Sequence, residues 1–123
     1  MYLTKQEAVI LHRQLWYKIA VETLKQKCAV GKREVIKTMT NKLIRNNCFC
    51  CEYVNNVFDF KNCVLCPIEW DTKQGKCIGN VGEHGLYDKW IEIFYLSKYT
   101  KYKQAALLAY KISKLPERSE INN

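Results

Sequence analysis

Cys48-Phe49-Cys50-Cys51 and, eleven residues further on, Cys63-Val64-Leu65-Cys66 form the stretch whose reading decides the fold. Cys48 with Cys51, and Cys63 with Cys66, each close a two-residue gap, the spacing at which one backbone turn presents two sulfurs to a tetrahedral ion. Four thiolates fill the coordination sphere of Zn2+, so Cys48, Cys51, Cys63 and Cys66 read as a structural zinc site without an open catalytic position. The rival reading is a pair of disulfides or a set of inert buried thiols. Seven cysteines is an odd number, and Met1-Tyr2-Leu3-Thr4-Lys5 lacks the basic-then-apolar order of a secretory signal. A reducing cytoplasm is therefore expected, where metal binding explains the cluster better than disulfides do. Cys50 and Cys77 could each displace a favoured ligand, as could His84. Cys28, near the end of an apolar-striped helix, reads as a small buried hydrophobe.

Outward from the cysteines the chain reads as helices. Thr4-Lys5-Gln6-Glu7 is a capping box, and Ala8, Leu11, Leu15, Trp16, Ile19, Ala20 and Leu24 recur at three- and four-residue steps. This predicts a long helix from Thr4 to about Cys28, stopped by Gly31. Val35, Ile36, Met39 and Leu43 predict a second helix within 32–45. Between the cysteine pairs, Tyr53-Val54 and Val57-Phe58-Asp59-Phe60 flank Asn55-Asn56 and predict a short β-hairpin carrying one cysteine pair on either side. Residues 71–85 read as a loop. Leu86, Trp90, Ile93 and Phe94 open a third helix, Thr100 is a candidate cap for a fourth, and Ala105, Leu108, Ala109 and Ile112 form the fourth's buried face before Pro116. The expected fold class is mainly α, a helical bundle with an inserted four-cysteine zinc module containing a β-hairpin. One domain is expected over 1–123, with two helices in 1–47, the zinc module and loop in 48–85, two helices in 86–116 and a frayed tail in 117–123. No stretch approaches the ~20 apolar residues of a membrane span.

The net charge of +8 is unevenly spread. Residues 1–47 carry ten basic and three acidic side chains, 48–85 carry three and five, and 86–123 carry seven and four. The cysteine module is thus the acidic part, whereas a nucleic-acid-binding finger usually gathers its cations around the metal. Catalytic material is sparse. His12 beside Leu11 and Leu15 reads as a packed or surface histidine, and His84 belongs to the loop Gly82-Glu83-His84-Gly85. Gly79-Asn80-Val81-Gly82 lacks the Gly-Lys-Ser/Thr ending of a phosphate cradle. Asp59, Glu69 and Asp71 read as solvated carboxylates, not a catalytic pair. Tyr95, Lys98, Tyr99, Lys101, Tyr102 and Lys103 interleave rings with cations, a pattern that suits either nucleic-acid stacking or a protein interface.

The blocks Leu3-Thr4-Lys5-Gln6-Glu7-Ala8, Leu11-His12-Arg13-Gln14-Leu15-Trp16, Asn47-Cys48-Phe49-Cys50-Cys51-Glu52-Tyr53, Cys63-Val64-Leu65-Cys66-Pro67-Ile68-Glu69-Trp70, Leu86-Tyr87-Asp88-Lys89-Trp90 and Leu115-Pro116-Glu117-Arg118 carry a resemblance over most of the chain. It resembles small four-cysteine zinc-binding proteins of bacteriophages and prophages of low-GC Gram-positive bacteria, among which Cys48, Cys51, Cys63 and Cys66 match and Cys50 falls at a variable position. The resemblance implies a non-enzymatic phage protein in the bacterial host cytoplasm, binding a host protein stoichiometrically. The implied activity is that of an anti-CRISPR inhibitor of a type II CRISPR effector nuclease. The alternative expectation is a basic zinc-finger protein that binds nucleic acid as a phage transcriptional regulator. Neither reading involves a membrane or a small-molecule substrate.

Overall fold

The computed structural model describes residues 3–40, 48–58, 66–73, 75–79 and 82–118. Among the described residues five helices follow one another: α1 (Lys5–Gln26), α2 (Lys32–Met39), α3 (Phe49–Phe58), α4 (Leu86–Leu96) and α5 (Tyr102–Ser113). The architecture is mainly helical, and the one extended pairing among the described residues is an isolated antiparallel bridge between Ile68 and Glu117.

Helix α1 starts where its capping box dictates. The Glu7 amide donates to Thr4 Oγ1 at 3.1 Å, and the Thr4 amide donates to Glu7 Oε1 at 3.0 Å. Two of the four amides that a helix start leaves unpaired are so satisfied. Its buried face runs through Ala8, Val9, His12, Leu15, Trp16, Ile19, Ala20 and Thr23. The C-terminal end differs from expectation. The helix stops at Gln26 because Lys27 turns into the left-handed region (φ 54°, ψ 40°) and its amide returns to the Thr23 carbonyl. Gly31 precedes the first turn of α2 instead of closing α1. Thr23 also receives the Val30 amide on its hydroxyl at 3.3 Å, tying the link to the end of α1.

Helix α1 packs against α5, α2 and α3, and α4 packs against α5. Rings carry α1 across to α4: Trp16 meets Trp90 edge-on, with centroids 4.9 Å apart at 87°, and Tyr87 and Phe94 stack on either side of Trp90 at 6.0 and 5.3 Å. Such pairs add directional preference to the apolar area they bury. Helix α5 buries Ala105, Ala106, Leu108, Ala109 and Ile112, the face expected from its spacing. Its first turn begins at Tyr102 after Lys101, while the Thr100 hydroxyl donates to the Ser97 carbonyl at 3.5 Å and does not serve as the cap.

The predicted hairpin is corrected. Tyr53, Val54, Val57 and Phe58 lie in α3, a ten-residue helix, while Asp59 and Phe60 lie outside the described residues. Strand preference is a property of fit to a pleated surface, and α3 packs on α1 where no partner strand is offered. The expected second helix is observed to Met39, with 41–47 outside the described residues. Of the expected tail, Glu117 and Arg118 are tied back to the segment after Cys66, Glu117 by its bridge to Ile68 and the Arg118 amide by donating to the Pro67 carbonyl at 2.7 Å, while 119–123 lie outside the described residues.

Helix α5 allows a controlled test of this packing. Ile112 is fully buried and Leu107 is 53% exposed. Ile112→Ala should cost ~2–5 kcal/mol in urea unfolding, and Leu107→Ala, on the same helix, within about 0.5 kcal/mol of none.

Candidate metal centre

Cys48 stands immediately before α3, and its carbonyl accepts the Glu52 amide at 3.0 Å. The first cysteine pair therefore occupies a helix start, where unpaired amides and the positive end of the helix dipole favour thiolate. Phe49 and Cys50 are fully buried and Val54 nearly so. These side chains anchor α3, and the Cys50 thiol reaches the Ala8 carbonyl of α1 at 3.9 Å.

The thiols form a connected set. Cys50 neighbours both Cys48 and Cys66, and Cys51 neighbours Cys48. Hydrogen bonds from Cys50 and Cys51 hold the Cys48 thiol well below the ordinary thiol range against the opposing effect of burial, and neighbouring His12 pulls in the same direction. Cys66 is lowered as well, chiefly by Cys50, with the Ile68 backbone and Trp70 side chain assisting and burial opposing. Cys50 moves far the other way, because its proton serves Cys48 and Cys66 and because it is buried. One protonated thiol between two acidic ones is the pattern of a shared charge in a closed space.

Among the described residues no disulfide joins Cys28, Cys48, Cys50, Cys51, Cys66 or Cys77 to one another. Cys63 lies outside the described residues. Among those described, no three histidine, cysteine or acidic side chains already stand in an ion-holding arrangement. The chemistry of the thiols nonetheless suits a soft cation, because thiolate is a preferred donor to Zn2+.

His12 is the residue that the sequence undervalued. It is 1% exposed, and neither Nδ1 nor Nε2 has a hydrogen-bond partner. Its ring lies beside the Cys48 thiol without a geometry that makes a hydrogen bond, and it meets Trp70 edge-on at 5.4 Å and 85°. A buried polar atom left unpaired costs ~1–3 kcal/mol, and interiors almost always avoid it. The signal was the placement of His12 on the apolar stripe of α1; the thiols that face it come from elsewhere in the chain.

The other nominated residues stand apart. Cys28 is half-buried and its thiol donates to the Ala29 carbonyl at 3.5 Å. Cys77 is half-buried against the core, and His84 is exposed ahead of α4. Asp71 is exposed but caps α4, accepting the Leu86 amide at 3.2 and 3.0 Å. Asp88 accepts the Gly79 and Gly85 amides at 3.0 and 3.2 Å. These carboxylates hold the loop to the helix start, as acceptors do at a positive helix end.

Arg118 fixes the second side of the centre. Its Nε donates to the Cys66 carbonyl at 2.8 Å, and one terminal nitrogen donates to Gly75 at 2.7 Å and Ile68 at 3.4 Å. The close approach to Gly75 needs a glycine: its φ is +69°, and a Cβ there would lie 2.9 Å from the guanidinium. The chain matches no family model, no curated protein and no solved structure.

Arg118→Ala would remove the donor to the Cys66 and Ile68 carbonyls and leave the Gly75 carbonyl with the Trp70 amide. A loss of ~2–3 kcal/mol in chemical unfolding is expected, in line with hydrogen bonds to a charged donor, with faster amide exchange at Ile68–Trp70 and Gly75 than at α5.

Proposed function

We propose that this chain is a non-enzymatic, zinc-stapled helical protein that acts by binding another protein stoichiometrically. The observation that carries the metal part is the clustering of Cys48, Cys50, Cys51 and Cys66 beside the unpartnered His12. Cys48, Cys51 and Cys66 would supply thiolates to Zn2+, and the spacing of the second pair nominates Cys63 as the fourth. A bound ion would neutralise charge in a closed space and fix the start of α3 against the segment after Cys66. It would do no chemistry on a substrate, because a filled tetrahedral shell offers none a position.

The binding part rests on the junction between α4 and α5. Tyr95, Leu96 and Tyr99 are 73%, 77% and 67% exposed, although large side chains of this type carry the energy of protein interfaces. Lys98 lies 5.9 Å from the Phe94 ring centroid and 5.4 Å from that of Tyr99, so an apolar patch has a cationic border. Such a surface suits a partner with an apolar groove and an acidic rim. The family resemblance suggests a phage protein working in the host cytoplasm and a type II CRISPR effector nuclease as the partner. Effector channels for nucleic acid are cationic, so this basic junction would engage an acidic helical surface of the effector outside that channel. No helix among the described residues is long and apolar enough to cross a membrane.

A second reading is favoured by the same lysines and tyrosines: nucleic-acid binding, with rings stacking on bases and cations meeting phosphates. Ionic strength separates the two. Contacts with six or more phosphates would weaken binding by ~10³-fold or more between 50 and 200 mM salt, whereas an apolar protein interface would change far less.

Two outcomes are expected. Native mass spectrometry should find one zinc per chain, and a strong chelator should abolish amide-exchange protection across Phe49–Phe58, because zinc binding in small sites corresponds to ~10–16 kcal/mol. Unchanged protection and melting temperature after chelation would contradict the metal reading. In a pull-down with a type II effector followed by DNA cleavage, the wild-type chain should be retained and should inhibit, and the Tyr95→Ala, Tyr99→Ala double variant should bind at least tenfold more weakly with unaltered melting. Full cleavage at excess protein would rule out the effector as partner.

A further inference from the structure

We infer that His12 is itself a zinc ligand, completing with Cys48, Cys51 and Cys66 a centre of three sulfurs and one nitrogen. The inference rests on the zinc reading above and specifies its fourth donor. Its ground is a juxtaposition that spacing alone does not show. His12 belongs to α1, Cys48 and Cys51 to the start of α3, and Cys66 to the segment held by Arg118. The Trp70 ring meets His12 with centroids 5.4 Å apart, and its side chain neighbours Cys66. Helix α3 packs directly on α1, which sets the imidazole beside the Cys48 thiol.

The imidazole has nothing else to do there. It is buried to 1% exposure, and both nitrogens lack a partner. A packed histidine with no ligand role normally gives at least one nitrogen to a carbonyl, a carboxylate or a hydroxyl. Neutral imidazole is among the common donors to zinc, and mixed cysteine–histidine shells are as closed as all-cysteine ones. With three thiolates and one neutral imidazole, the centre carries one unit less negative charge than a four-thiolate centre, which suits a buried place. Cys50 remains a thiol, donating its one proton to the Ala8 carbonyl. Among the described residues no three such groups stand in an ion-holding arrangement, so binding would require these side chains to turn toward the ion.

The consequence is mechanical. A centre built from Cys48, Cys51, Cys63 and Cys66 would staple only the middle of the chain to itself. A centre that includes His12 bolts that module to the longest helix, so metal and bundle would melt as one unit.

Zinc-edge X-ray absorption on the full-length zinc-loaded protein tests this directly. Three sulfurs, one nitrogen and the outer-shell scattering of an imidazole are expected. In the cobalt-substituted protein, His12→Cys should keep the metal and raise the sulfur-to-cobalt charge-transfer absorption by about one third, as a fourth thiolate joins three. Cys63→Ser should leave metal content and spectrum unchanged. A four-sulfur shell without imidazole scattering, lost on Cys63→Ser and indifferent to His12→Cys, would overturn this inference while leaving the zinc reading intact. A wild-type protein that binds no zinc would overturn both.

Discussion

Burial of one face of α1 is the constraint on which the rest of the structure depends. Along that face Ala8 and His12 meet the cysteine module, Trp16 meets the aromatic stack of α4, and Ile19 and its neighbours complete the core. Each of those elements is short, and helices of eight to twelve residues are marginal in water on their own. They persist because α1 gives every one of them an apolar surface, directly or through α5. The hydrogen bond from the Ala29 amide to the Lys98 carbonyl at 2.9 Å locks the two inter-helix links to each other, so the ends of the bundle are joined as well as its faces.

The charge distribution fits this division of labour. The cations lie mainly in residues 1–47 and 86–123, while the cysteine module in 48–85 is acidic. A metal in that module would be a structural element, remote in character from the exposed aromatic and cationic junction after α4. Stability and recognition are then served by different residues. A groove of about 690 Å3 between α1 and α2, lined by Tyr17, Val21, Val30 and Val35 with Glu22 and Glu34 among its polar groups, holds no thiol or histidine and belongs to neither role.

Much of the fold was legible because its signals are local. The reciprocal bonds of Thr4 and Glu7 follow from a four-residue pattern, and the stripe from Ala8 to Ala20 follows from helical period alone. The buried face of α5 was equally clear. The hairpin failed because Tyr53, Val54, Val57 and Phe58 favour strands only when a neighbouring strand exists, and here α1 offers a helix-shaped surface. The end of α1 was misplaced because Lys27, not a glycine, adopts the left-handed turn. The cysteines were nominated by spacing, but the grouping around Cys50 and the approach of His12 were not visible, since they depend on α3 and α1 touching across the 35 residues of chain between His12 and Cys48. Arg118 was hidden for the same reason, as its three acceptors lie 43 to 52 residues away.

The central claim is that a metal ion sits where α1, α3 and the Cys66 segment meet. An anomalous-difference map recorded at the zinc edge, from crystals of protein never exposed to chelator, tests it most directly. The account predicts one strong peak per chain, within ~2.0–2.3 Å of the His12 nitrogen and the sulfurs of Cys48, Cys51 and Cys66. A map with no peak there, or with those sulfurs joined as disulfides, would contradict it.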